Sequence, residues 1–215
     1  MNYTNTGLVK HAKAALADKT KYMWGGILRP ITKTYIQQVS SIPGYKSQYP
    51  KSRIAILNSV VGKGYYGVDC VGLIKSYYWS GNSSGGTGSK DYKASTDVNA
   101  HGMYNSAKIK GKIDTLPEQP GLVLYCKSRP HVGIYIGGGE VIESTLSSRG
   151  DGVVKTKLKD FAWEYWCQCP FIAADNAPEK MYTISAVKTV KKAEVAKTKA
   201  VLVSAGFEVV GVREK

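Results

Sequence analysis

Long apolar runs are missing from this chain of 215 residues, and none of its short ones approaches the length that a membrane-spanning helix requires. Its first ten residues hold no apolar segment of the kind a secretory signal carries, so synthesis in the cytoplasm without a cleaved leader is expected. Cysteine is scarce, four in all, which excludes the disulfide framework of small secreted domains and predicts reduced thiols. Acidic residues are also few: sixteen stand against thirty Lys and Arg, leaving a net charge of +14 and a pI near 9.5. A field of that sign draws polyanions such as nucleic acid, anionic lipid or anionic wall polymers, without choosing among them. The aromatics form no pattern of an RNA-binding sheet and no helix-turn-helix is visible, so no nucleic-acid partner is expected. The pair Cys167-Gln168-Cys169 has no second Cys or His cluster to complete four ligands. It reads as two buried thiols, with no metal and no cofactor.

What is present supports a real core. Apolar residues make up 43% of the chain, which fits one domain with a small appendage. Leu8, Ala12, Ala15 and Leu16 recur at helical spacing, predicting a helix over 8–17. Residues 27–64 show no clear period and contain Pro30, Pro43 and Pro50; they read as an irregular excursion with one short helix near 54–60. A second helix is predicted from Cys70 through Trp79, stopping at Gly81 before the flexible run 82–89. A short helix follows near 98–106. After Pro117 the period becomes strand-like, with strands over 121–126, 131–136, 140–143, 153–158 and 166–172 and a turn at Gly137-Gly138-Gly139.

Helices followed by a run of strands predict an α+β domain over residues 1–172, its N-terminal helices packed on a mainly antiparallel sheet. Residues 173–181 read as a linker and 182–215 as a small β-α-β tail, too short to bury a core by itself. That tail is expected to dock on the main domain or to pair with a second copy, as a homodimer, and its resemblance to one β-α-β half of a SPOR-like module implies wall binding.

The chemistry centres on Cys70. It follows Asp69 and opens a predicted helix, where unpaired N–H groups and the helix dipole favour a thiolate and are placed to hold a developing oxyanion. His131 starts a strand, and if the following turn centres on Gly138, Glu143 becomes its diagonal cross-strand neighbour on the same face. A carboxylate accepting the Nδ1–H of His131 would leave the other nitrogen to deprotonate Cys70, an arrangement of nucleophile, base and orienting group. The other two histidines, His11 and His101, sit in polar helical settings and read as surface residues.

Three stretches in this order, Tyr22-Met23-Trp24-Gly25-Gly26, Asp69-Cys70-Val71-Gly72-Leu73 and His131-Val132-Gly133-Ile134-Tyr135-Ile136-Gly137, resemble the motifs of the NlpC-type cell-wall cysteine peptidases. The resemblance covers about residues 5–172. It implies a papain-like α+β fold with the Cys-bearing helix on the His-bearing sheet. It also implies cleavage of an amide bond in the peptidoglycan stem peptide through a Cys70–His131–Glu143 thioester mechanism. By the same resemblance Tyr22 sets its hydroxyl beside the nucleophile, Asp69 meets a substrate amine, and Trp24 belongs to the substrate-binding motif. Three features depart from the pattern: Val71 where Ser is frequent, Glu143 where His, Asn or Gln is commoner, and the long 27–64 stretch. The implied partners are peptidoglycan and its anionic wall polymers, and the implied setting is a phage endolysin of a Gram-positive host, acting once the membrane is permeabilised. An N-acetylmuramoyl-L-alanine amidase of the same fold and a non-catalytic wall-binding protein remain the alternatives.

Overall fold

Thr4 begins the ordered structure by accepting a hydrogen bond from the Gly7 N–H at 3.2 Å, which caps helix α1, Asn5–Ala17. The computed structural model describes residues 3–80 and 92–175. The 82–89 run, the helix stop at Gly81, most of the 173–181 linker and the 182–215 tail lie outside the described residues. Leu8, Ala12 and Ala15 of α1 are buried, and their periodicity is the one read from the sequence.

A tight unit follows. Strand β1, Thr20–Tyr22, turns through Gly25 (φ +72°) into β2, Ile27–Pro30, and β3, Tyr66–Val68, lies between them, parallel to β1 and antiparallel to β2. These three strands escape period-based reading because each has only three or four residues.

The irregular excursion expected over 27–64 is corrected by the structure. Besides β2 it holds two helices, α2, Lys33–Ser40, and α3, Lys51–Ser59. Thr32 caps α2 by accepting from the Tyr35 N–H at 3.0 Å, and Tyr35, Ile36 and Val39 form its buried stripe. They pack with Met23, Ile31, Tyr49, Leu57 and Val60 in a core of their own. Helices of two turns separated by prolines carry too few repeats to reveal a period.

Helix α4, Cys70–Ser80, packs beside α1 on the main sheet, and the short α5, Ala100–Ser106, is capped by Asn99. The main sheet has six antiparallel strands: β4, Lys110–Lys112; β5, Val123–Cys126; β6, His131–Gly137; β7, Glu140–Ser147; β8, Gly150–Lys157; and β9, Tyr165–Cys167. Their order is β4-β9-β5-β6-β7-β8. The architecture is α+β, as expected. Pairing of Ile134 with Ile142 and Tyr135 with Val141 gives the β6–β7 register read from the Gly138 turn. The strands differ from the expected ones in extent. β7 and β8 run longer than expected because they pair along their whole length, whereas the fifth expected strand ends at Cys167, shortly before Pro170.

Both faces of this sheet are covered. Val123, Tyr125, Val132, Ile134 and Ile142 face α1 and α4, while Leu122, Leu124, Tyr135, Val141, Trp163 and Trp166 fill the other side. The 27–64 segment is tied to the sheet by charge. Arg53 of α3, only 6% exposed, gives Asp151 of β8 two hydrogen bonds at 3.0 and 2.7 Å and donates to the Tyr22 carbonyl, while Lys21 reaches Asp151 at 3.0 Å. Removing one partner of a buried pair leaves the other charge uncompensated. Arg53→Met should therefore lower the unfolding free energy by about 2–4 kcal/mol. Urea denaturation checks this, and a loss below about 1 kcal/mol would class the pair with ordinary surface ion pairs.

Candidate active site

The three sequence motifs converge at the start of α4. Asp69 accepts from the Gly72 N–H with Oδ1 at 2.5 Å, an N-cap, and from the Gly25 N–H with Oδ2 at 2.7 Å. The Asp69 N–H returns to the Gly26 carbonyl at 3.0 Å. A Cβ on Gly72 would stand 1.8 Å from that carbonyl, so a glycine is required for the turn to lie against the helix. Tyr22 is thereby held near Cys70, and Trp24 lines the same cleft. Asp69, expected as a contact for a substrate amine, spends both oxygens on this clamp and is also a lining residue of the cleft.

Cys70 is buried, 8% exposed, and the backbone N–H groups of Val132 and Val71 are near enough to its sulfur to favour the charged form. Val132 follows His131, so the thiol rests against the first peptide of β6. Burial, followed by the nearby Asp69 charge, pushes the thiol up to about 12, and these N–H groups only partly offset the rise. The thiolate expected from the helix start is thus corrected: the resting group is a neutral thiol, because desolvation outweighs the dipole. Tyr22 feels the same surroundings. Burial first, then Cys70 and Asp69, raise its hydroxyl well above the usual phenol range, so it stays a hydrogen-bond donor.

His131 stacks on Trp163 with ring centroids 5.5 Å apart at 17° and meets Phe161 edge-on at 5.3 Å. Its Nε2 lies 2.5 Å from Glu143 Oε2. Glu143 is fully buried, and Arg149 grips it with Nε on Oε1 and Nη2 on Oε2, both at 3.0 Å, while the Thr156 hydroxyl donates to Oε1 at 3.0 Å. Burial pushes this carboxyl up, but the bonds from His131 and Arg149 outweigh it and hold it at about 2. An ionised carboxylate only accepts, so the proton on this contact belongs to Nε2. The sequence paired His131 with Glu143 correctly but through Nδ1; the structure uses Nε2 and leaves Nδ1 as the basic atom of the neutral ring.

The open side of Cys70 is a cleft of about 1000 Å³. Tyr22, Trp24 and Asp69 line it as expected, α2 and the following turn add Tyr35, Gln38 and Tyr45, and the approach to α5 adds Asn99 and His101. Trp24 is 37% exposed and meets Tyr45 edge-on. His101 is exposed as expected, though its Nδ1 is held at 2.9 Å by the Tyr125 hydroxyl. His11 is not a surface residue: it contacts Ser76 Oγ at 2.8 Å, and burial lowers it to about 4. Cys167 and Cys169 are the buried thiols expected, and among the described residues no three His, Cys, Asp or Glu side chains cluster as metal ligands. Arg149, Thr156 and the cleft wall from α2 were missed. Arg149 sits in a polar turn between strands, where sequence alone reads it as solvated.

No protein-family model and no curated protein matches the chain. Among solved structures it is similar to the NlpC/p60 domain of the peptidoglycan hydrolase SagA, at 17% identity and a TM-score of 0.40, covering 76% of this chain and 97% of that one. It is also similar to the P60 domain of an antigen from M. avium subspecies paratuberculosis (14%, TM-score 0.43, 79% and 98%) and to the peptidoglycan hydrolase RipB of Mycobacterium tuberculosis (18%, TM-score 0.41, 76% and 63%). At these identities and TM-scores the likeness decides nothing about chemistry, which rests on this chain's own residues. Among the described residues no helix is long and apolar enough to cross a membrane.

The Glu143 carboxyl, held at about 2 against an ordinary 4.5, contributes stability that is fully present above pH 4.5 and is lost as the pH falls toward 2. Glu143→Gln should flatten this acid limb of stability, measured by denaturation at stepped pH. An unchanged slope would show that Glu143 is not held ionised by its partners.

Proposed function

We propose that this protein is a peptidoglycan hydrolase that cleaves an amide bond of the stem peptide through a thioester on Cys70. The observation that carries the reading is a cleft-lining thiol near the first peptide of β6, the strand that opens with a histidine whose Nε2 is committed to a buried carboxylate. A neutral thiol needs a base at the moment of attack, and His131 Nδ1 supplies a lone pair for it. Sulfur adds to the carbonyl carbon, and the oxyanion is met by the N–H groups of Cys70 and Val71 with the Tyr22 hydroxyl. The C–N bond then breaks as His131 passes its proton to the departing amine. In the second half His131 takes a proton from water, hydroxide adds to the thioester, and the thiol leaves with its proton restored.

The basic surplus of the chain favours an anionic polymer as partner, in keeping with wall peptidoglycan and its associated polymers. The role of a phage endolysin of a Gram-positive host, acting after the membrane is permeabilised, belongs to the same proposal and rests on the motif resemblance. A muramoyl-alanine amidase differs only in the bond presented to Cys70.

Mass spectrometry of soluble fragments from purified Gram-positive walls tests the reading. Wild type should release new fragments whose masses name the bond, Cys70→Ala should release none, and His131→Ala should slow release by roughly 10²–10⁴-fold. Equal release by Cys70→Ala would end the thioester mechanism. Release by neither protein, with both sedimenting on the walls, would leave a binding protein.

A further inference from the structure

A buried carboxylate paired with a histidine alone has one source of compensation, the imidazolium, and so holds a proton on the ring that is meant to act as base. Glu143 is fully buried yet is not left to His131. Arg149 takes both of its oxygens in a fork at 3.0 Å each, and Thr156 supplies a third donor. The guanidinium is itself fixed, lying over the Phe161 ring at 4.5 Å from the centroid, and Phe161 meets the His131 ring on its own edge. Arg149 Nε and Nη2 are both spent on Glu143, so the guanidinium is committed within the protein.

We propose that Arg149 is a positioning residue that takes up the charge of Glu143, so that Glu143 orients His131 without locking it in the protonated state. This deepens the hydrolase reading and rests on it for the consequence to catalysis, but the charge relation is a property of the resting protein. A full negative charge is workable at this buried position because a second cation neutralises it. The charged and titratable groups around His131 are Glu143 from β7, Arg149 from the turn before β8 and Arg129, which lies 4.5 Å over the same Phe161 ring, while Cys70 at the start of α4 is near the N–H of the next residue, Val132.

The direct test is an NMR titration of the His131 imidazole in full-length Cys70→Ala protein, which needs no turnover. Arg149→Gln should move the His131 midpoint up by about one pH unit or more, tenfold in proton affinity. Arg149→Lys, which keeps the charge but loses the fork, should move it by less. On a Glu143→Gln background the same Arg149→Gln change should produce less than half that shift, because the carboxylate through which it acts is gone. A midpoint that stays put in Arg149→Gln, in protein whose amide spectrum remains dispersed, overturns the inference. So does a shift of equal size on the Glu143→Gln background, which would mean that Arg149 acts on His131 directly. If Arg149→Gln does not fold, Arg149→Lys carries the test: no upward shift there overturns it.

With Cys70 restored, the acid limb of kcat/KM for wall peptide should move to higher pH in Arg149→Gln while KM stays unchanged. A shifted imidazole midpoint in a protein that never cleaves wall peptide would sink the hydrolase reading and leave the role of Arg149 standing.

Discussion

The interaction on which the site depends is the burial of the Glu143 charge. A carboxylate with no exposed surface costs several kcal/mol unless its oxygens are fully occupied by donors. Here they are met by Arg149, His131 and Thr156, drawn from the β7–β8 turn, β6 and β8. Satisfying the charge therefore fixes the mutual position of three neighbouring chain segments and, with them, the plane of the His131 ring. Trp163 and Phe161 complete that constraint by stacking and edge contact, leaving the imidazole little freedom except at Nδ1.

A second constraint acts on the nucleophile. Asp69 caps α4 and staples it to the Gly25–Gly26 turn, and Gly72 allows the turn to come in closely enough for Tyr22 and Trp24 to line one cleft with the thiol. Arg53 and Asp151 then hold α3 and the Tyr22 carbonyl against β8. Through this chain of polar contacts the 27–64 segment becomes a wall of the cleft, and its own core of Met23, Ile36, Val39 and Leu57 gives that wall substance. The neutral state of Cys70 follows from the same packing. Closing the site around the thiol removes the water that a thiolate needs, and the helix-start N–H groups do not replace it fully.

Length and regularity decided what could be read in advance. Helix α1 was legible because it buries one stripe over three turns, helix α4 because its apolar residues continue over three turns up to a glycine, and the β6–β7 hairpin because three glycines mark its turn and strand parity is strict. The short strands β1 to β3 and helix α2 were not, because two turns of helix or three residues of strand contain too little period, and of α3 the sequence showed a helix near 54–60. Their packing depends on partners remote in sequence: α2 packs with Leu57, and Lys21 of β1 meets Asp151.

The sequence by itself determined the class of fold, the pairing of His131 with Glu143 and the place of Cys70 at a helix start, since each follows from local periodicity or register. Tertiary structure alone decided which nitrogen of His131 meets Glu143, that Arg149 neutralises it, that the thiol is uncharged at rest, and that α2 lines the cleft. The physical reason is common to all four. Protonation and ring orientation are set by desolvation and by donors from distant segments, and neither quantity exists until the chain has closed around the site.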